Sequence, residues 1–137
     1  MKLNNSLPLR VACDGESSSG KSTAAKLISI KYKLFCMNSG LLFRYASRLI
    51  IKHKPKKNIP FLRQKFKNLN YKQVTFLNLH TQEISNHVAV LATQKKVRLI
   101  IRNFQKKIIR KHHRICCEGR DQASTILKKK PRYDIEF

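Results

Sequence analysis

The chain has no run of about 18 consecutive apolar residues, which excludes a membrane-spanning helix of the usual length. Its start, Met1-Lys2-Leu3-Asn4-Asn5-Ser6, leads straight into Leu7-Pro8-Leu9-Arg10-Val11-Ala12-Cys13-Asp14. Neither the apolar core nor the small-residue cleavage site of a signal peptide is present, so a cytoplasmic location is expected. Cysteine is sparse: Cys13, Cys36, Cys116 and Cys117 form no C-x-x-C pair and all sit in apolar stretches resembling buried strands. A reduced, structural role follows. His112-His113 ahead of Cys116-Cys117 would ligate a metal only if the four converged. Adjacent residues on a strand point to opposite faces, so no metal is expected there. No internal repeat is visible.

Acidic residues are scarce too, 7 Asp+Glu against 30 Lys+Arg, for a net charge of +23. Such a surface attracts polyanions with steep salt dependence. The lysines are scattered over every segment, however, with no RNA-recognition, KH or zinc-finger pattern among them. A Lys-, Asn- and Ile-rich composition of this kind also follows from codon bias. Nonspecific attraction is expected, specific nucleic-acid recognition is not. With 137 residues and 42% apolar content, the chain can bury roughly two-thirds of its unfolded surface in a domain-sized core.

Short apolar runs at Leu9 to Cys13, Leu34 to Met37, Arg114 to Glu118 and Arg132 to Phe137 suit buried parallel strands. Between them, Ser22 to Lys33 is predicted helical, with Ala24, Ala25, Leu27 and Ile28 on one side and Lys26 and Lys31 outward. Asn38-Ser39-Gly40 is expected to stop the second strand. Leu41 to Lys52 follows as a helix carrying Leu42, Tyr45, Ala46 and Leu49 inward. Pro55 and Pro60 among three lysines predict a linker over His53 to Pro60. Tyr71, Val74, Phe76 and Leu77 suggest a strand of a small inserted subdomain. Thr81 should cap a helix reaching about Thr93, with Gln82 and Glu83 in its first turn. A further helix from Lys95 presents Val97, Ile100, Ile101, Phe104 and Ile108 as a stripe, and residues 120–128 are helical or irregular. The order of elements indicates an α/β parallel sheet with helices on both faces.

The most specific signal is Gly15-Glu16-Ser17-Ser18-Ser19-Gly20-Lys21-Ser22, an unbroken G-x-x-x-x-G-K-[ST] between a predicted strand and a predicted helix. Glycines let the backbone curl so that successive N–H groups face a phosphate. The helix start adds unpaired donors and positive potential. Lys21 can bridge β- and γ-phosphates, and the Ser22 hydroxyl can sit on Mg²⁺. Such a loop, extending to Thr23, reads as a nucleoside triphosphate site, with ATP and Mg²⁺ the expected ligands.

Further matches follow in order: Asn38-Ser39-Gly40-Leu41-Leu42-Phe43-Arg44, Thr81-Gln82-Glu83, Val97-Arg98 and Gly119-Arg120-Asp121. Together with the loop they resemble the cytidylate kinases over nearly the whole chain from residue 9. The resemblance implies a P-loop nucleoside monophosphate kinase fold and transfer of the ATP γ-phosphate to CMP or dCMP. It makes Lys21, Arg44 and Arg120 catalytic, and gives the CMP site to Ser39, Arg44, Arg98, Arg120 and Asp121. Asp121 can accept from the cytosine N4 amine and Arg98 can donate to O2 or N3. The implied organisation is 1–52 for the loop and first part of the core, 53–95 for an acceptor-binding insert, and 96–137 for the rest of the core. A monomer with no membrane and no specific nucleic-acid partner is expected.

Departures from the family pattern stand at Glu118, where Asp is usual, at Ala123-Ser124 for Gly-Thr, at His80 for Arg, and at Ala89 for a cytosine-reading Ser. The insert between Arg44 and His80 is short. No counterpart of the family's arginine-rich lid, last strand and closing helix follows Phe137. The expectation is therefore the N-terminal two-thirds of such an enzyme. The alternatives are an inactive or split-gene fragment completed by a separate lid, or a P-loop kinase for another small acceptor.

Overall fold

A computed structural model describes residues 7–16, 20–127 and 132–137. These fall into two compact units, one built from the segments up to Ser39 and from Gln105 onward, the other from Gly40–Phe104. No helix among the described residues is long and apolar enough to cross a membrane.

The first unit is a parallel sheet of strands β1 (Leu9–Asp14), β2 (Phe35–Asn38), β3 (Arg114–Gly119) and β4 (Tyr133–Glu136), ordered β2-β3-β1-β4. Register pairs Val11 with Cys116 and with Tyr133, and Cys36 with Cys116. Residues in register share a face, so Leu9, Val11, Cys13, Cys36 and Cys116 line one side of the sheet. Helix α1 (Lys21–Tyr32) covers that side, placing Ala25, Ile28 and Tyr32 against Leu9, Val11, Cys13, Leu34 and Cys116. The helix ends on Lys33, at φ 55°, whose N–H bonds to Ser29 O. Leu27 does not join the inward face as expected: it is exposed, as is Ile30. At 100° per residue, Leu27 lies some 160° round the helix from Ala25, and Ser29 takes the inward place instead. The buried Arg114 guanidinium ties β3 to its surroundings by donating to Leu7 O at 2.6 Å and Tyr32 O at 2.5 Å.

All four cysteines are free thiols. Three are buried, but Cys36 is only half-buried. Cys13 and Cys116 lie Sγ to Sγ at 3.8 Å. Hydrogen bonding to Cys116 lowers the Cys36 thiol to about 7 despite its partial burial. Cys117, on the opposite face, is pushed up by burial.

The second strand stops at Asn38-Ser39-Gly40 as expected, but with no intervening turn. β2 runs through Asn38 directly into α2 (Ser39–His53). In the second unit α2 buries Leu42, Ala46, Leu49 and Ile50. The expected linker ends early, since helix α3 (Asn58–Lys67) contains Pro60. That proline is third in the helix, where its missing N–H would have had no intrahelical partner. The expected strand at 71–77 is instead a short helix, α4 (Tyr71–Thr75), capped by the Asn70 side chain accepting from Lys72 N at 3.0 Å. Tyr71 and Val74 are buried three residues apart, a helical spacing, whereas Phe76 is exposed. Thr81 caps α5 (Gln82–Leu91) as its sequence suggests, its hydroxyl accepting from Ile84 N at 3.2 Å. Val74, Leu79 and Ile84 form a cluster with Leu41, Tyr45, Leu77 and Val88. Phe66 packs edge-on against Tyr45 and Phe104 at 5.8 and 5.6 Å. In α6 (Lys95–Lys111) all five expected stripe residues are buried.

Candidate active site

In the first unit, β1 leads through α1 to β2 on one side, while β3 leads to β4 on the other. The connections diverge between β1 and β3, and ligands of open parallel sheets bind at such a divergence, off the carboxyl ends of the strands. There the two strand ends are joined by Gly15 N donating to Gly119 O at 3.0 Å. From this edge the loop of the G-x-x-x-x-G-K-[ST] motif departs.

Of that loop, Gly15, Glu16, Gly20, Lys21, Ser22 and Thr23 are described; Ser17, Ser18 and Ser19 lie outside the described residues. Gly20 has φ 88°, a left-handed conformation that L side chains adopt at a cost, and it sits directly before α1. Helix α1 therefore begins on Lys21, with its free N–H groups at the loop. Lys21 Nζ donates to Gly15 O at 2.5 Å, folding the ammonium back over the loop's first glycine. Ser22 Oγ donates to Glu118 Oε1, also at 2.5 Å. Glu118 is buried on the α1 side of the sheet. A hydroxyl and a carboxylate meeting at the helix start are hard oxygen donors of the kind Mg²⁺ prefers, so the residues present fit that ion.

Asp14 anchors the opposite side of the edge. Its carboxylate accepts from Gln122 N at 2.6 Å and Ala123 N at 3.1 Å, holding the π-helical turn Gln122–Ile126 that follows the G-R-D segment. Gly119 is enclosed: a Cβ there would lie 2.4 Å from both Ser39 Oγ and Gln122 Nε2. The absence of a side chain thus lets Ser39 reach this edge. Arg120 is exposed, 3.9 Å from the Glu16 carboxylate, and Asp121 is exposed at the start of the turn.

The second unit holds the other two predicted acceptor residues. Arg44, on α2, donates to Leu79 O and to Ser85 Oγ, each at 3.0 Å. Arg98 is exposed in the first turns of α6. The first unit thus brings together Gly15, Lys21, Ser22, Ser39 and Arg120, while Arg44 and Arg98 belong to the other. Two residues escaped sequence reasoning: Glu118, the partner of Ser22 across 96 positions, and Asp14, the clamp on the later turn. Glu118 was visible only as a departure from a motif, and Asp14 only as the residue before the loop.

A parallel sheet whose first strand turns through a glycine-bounded loop into a helix opening on Lys-Ser defines the class of P-loop nucleotide-binding folds. The family profile for cytidylate kinase matches residues 11–131, and the chain belongs to that family. It is 33% identical over 137 residues to a bifunctional pantoate ligase/cytidylate kinase of Prochlorococcus marinus strain MIT 9312, covering 85% of this chain and 26% of the relative. To a cytidylate kinase of Thermosipho melanesiensis it is 30% identical over 133 residues, covering 88% and 59%. To that of Aquifex aeolicus it is 28% identical over 135 residues, covering 90% and 60%. The chain thus spans less than two-thirds of each of these relatives.

Proposed function

We propose that the chain binds ATP at its phosphate loop and directs the γ-phosphoryl group to the phosphate of CMP or dCMP, giving ADP and CDP or dCDP. The observation that carries this is the arrangement of Lys21 and Ser22 at the start of α1 against Gly15 and Glu118, in a member of the cytidylate kinase family. Backbone N–H groups of the loop, from Gly15 through Thr23 and including Ser17, Ser18 and Ser19, hold the triphosphate. Lys21 exchanges its contact with the neutral Gly15 carbonyl for a charged phosphate oxygen, a stronger hydrogen bond. When bound, Mg²⁺ neutralises charge on the β- and γ-oxygens. Ser22, oriented by Glu118, is the hydroxyl that would hold it.

On the acceptor side, Ser39, Arg44 and Arg120 grip the monophosphate, while Arg98 and Asp121 read the base. Asp121 accepts from the N4 amine of cytosine and would face a carbonyl in uracil, an acceptor–acceptor contact. The acceptor phosphate is already anionic, so no strong base is required. An oxygen of that phosphate attacks the γ-phosphorus, the bond to the ADP oxygen breaks, and the side chains contribute alignment and charge neutralisation. A monomer acting in the cytoplasm completes this reading.

Titration calorimetry with Mg-ATP tests the donor half, and a coupled assay over CMP, dCMP and UMP tests the whole. ATP binding that vanishes in Lys21→Ala, with CMP or dCMP preferred over UMP, is the expected result. No heat of ATP binding, or a Lys21→Ala chain that binds as the wild type does, would refute it.

A further inference from the structure

The sheet of the first unit has a second end, away from the phosphate loop, where β1 and β3 begin. There Leu9 N donates to His113 O at 2.9 Å. Beside this junction lies an open cavity of about 250 Å³, lined by Arg10, Arg110 and His113 over Ile109, Ile126 and Leu127. Arg10 comes from β1, Arg110 from the last turn of α6, and His113 from the residue before β3. Among the described residues, no carboxylate pairs with any of the three. Lys106, Lys107, Arg110 and Lys111 are all exposed on α6, and Lys106 stands one turn before Arg110 on the same side. No Asp or Glu occurs anywhere from residue 84 to residue 117. Along α6 and up to β3, the charge of this end is therefore uncompensated by any acid of the same segment.

We propose that this amino-terminal end of the sheet binds the phosphodiester backbone of nucleic acid, without reading its sequence. Arginine and lysine are the side chains that take phosphate oxygens, and such contacts position a strand without identifying its bases. The cavity lining holds no Phe, Tyr, Trp, Asn or Gln, and its two guanidiniums are cations that take phosphate oxygens, so the contact it offers is to the charged backbone. The cations continue beyond the cavity along Lys106 to Lys111, more of them than the phosphate of a single mononucleotide can engage. A membrane surface fits less well, because an interfacial helix needs an apolar face to insert, and Ile108 on this part of α6 is buried. The site is separate from the phosphate loop, at the other end of the same strands.

The test is fluorescence anisotropy of the whole chain with a labelled 20-nucleotide single-stranded DNA of mixed sequence, titrated across salt. Lys106→Glu/Arg110→Glu should weaken binding about tenfold or more and lower the slope of log K against log salt by about 1.4, two phosphate contacts' worth. Lys26→Glu/Lys31→Glu makes the same change in net charge on the exposed side of α1 and should alter binding less than about twofold. The milder Lys106→Gln/Arg110→Gln should fall between wild type and the glutamate pair, which guards against a folding defect, and ATP binding should be retained in all three. Equal losses from the α1 and α6 pairs would overturn the proposal, since overall charge would then suffice. Displacement of the DNA by CMP at equal phosphate concentration would overturn it in favour of a small-molecule site. Tighter binding to vesicles containing phosphatidylserine, with the same dependence on Lys106 and Arg110, would overturn it in favour of a membrane.

Discussion

At the scale of single residues, the proposed donor site is a set of short contacts each made by one atom. Ser22 and Glu118 share a hydrogen bond of 2.5 Å although 96 positions separate them. Glu118→Gln keeps an acceptor for that hydroxyl and removes the charge. Calorimetry with and without Mg²⁺ should therefore show the metal's effect on ATP affinity shrinking, whereas Glu118→Asp, the residue usual in the family, should preserve it. Gly119→Ala drives a methyl to 2.4 Å from Ser39 Oγ and Gln122 Nε2. Overpacking of this kind costs about 1–3 kcal/mol, to be read as a lowered urea midpoint. Cys36, its thiol lowered to about 7 by hydrogen bonding to Cys116, should ionise as pH rises through neutrality. Its alkylation by iodoacetamide should rise through pH 7 and level off above it, while buried Cys117, shifted the other way, stays unmodified. The sign for stability is the same: a thiol acidified by folding stabilises above its unfolded value near 9, and that contribution fades as pH falls towards 7.

Elements were legible where two independent signals coincided. Thr81 followed by Gln82 and Glu83 gave both a cap and an acidic first turn, and α5 starts there. The stripe of α6 repeated over about three turns, too long to be mistaken for a strand. The short apolar run at Tyr71 carried no such redundancy. Its burial at three-residue spacing becomes apparent only once Asn70 caps the turn. Pro60 misled because a breaker inside a helix is also a good third residue of one. The phosphate loop was legible because its residues are contiguous, while the clamp of Asp14 on Gln122 and Ala123 depends on folding that no spacing encodes. Thr81→Ala, which removes the bond to Ile84 N, should cost about 1 kcal/mol in chemical denaturation. Ile101→Ala, from a position 1% exposed, should cost about 2–5 kcal/mol.

For the molecule as a whole, β1 and β3 are the strands hydrogen-bonded on both flanks, β1 to β3 and β4 and β3 to β2 and β1, while β2 and β4 are edges. Backbone amides of β1 that bond across to a neighbour can reach solvent only when the sheet itself opens. Those of β4, whose residues are mostly exposed, need only local fraying. In D₂O, Val11 to Cys13 should thus be among the slowest positions of the chain to gain deuterium, and Tyr133 to Glu136 among the quickest of the sheet. The loop that follows Asp14 is strung from one of the two inner strands, so the contacts of Lys21 with Gly15 and of Ser22 with Glu118 should be among the last local structures surrendered as the protein melts.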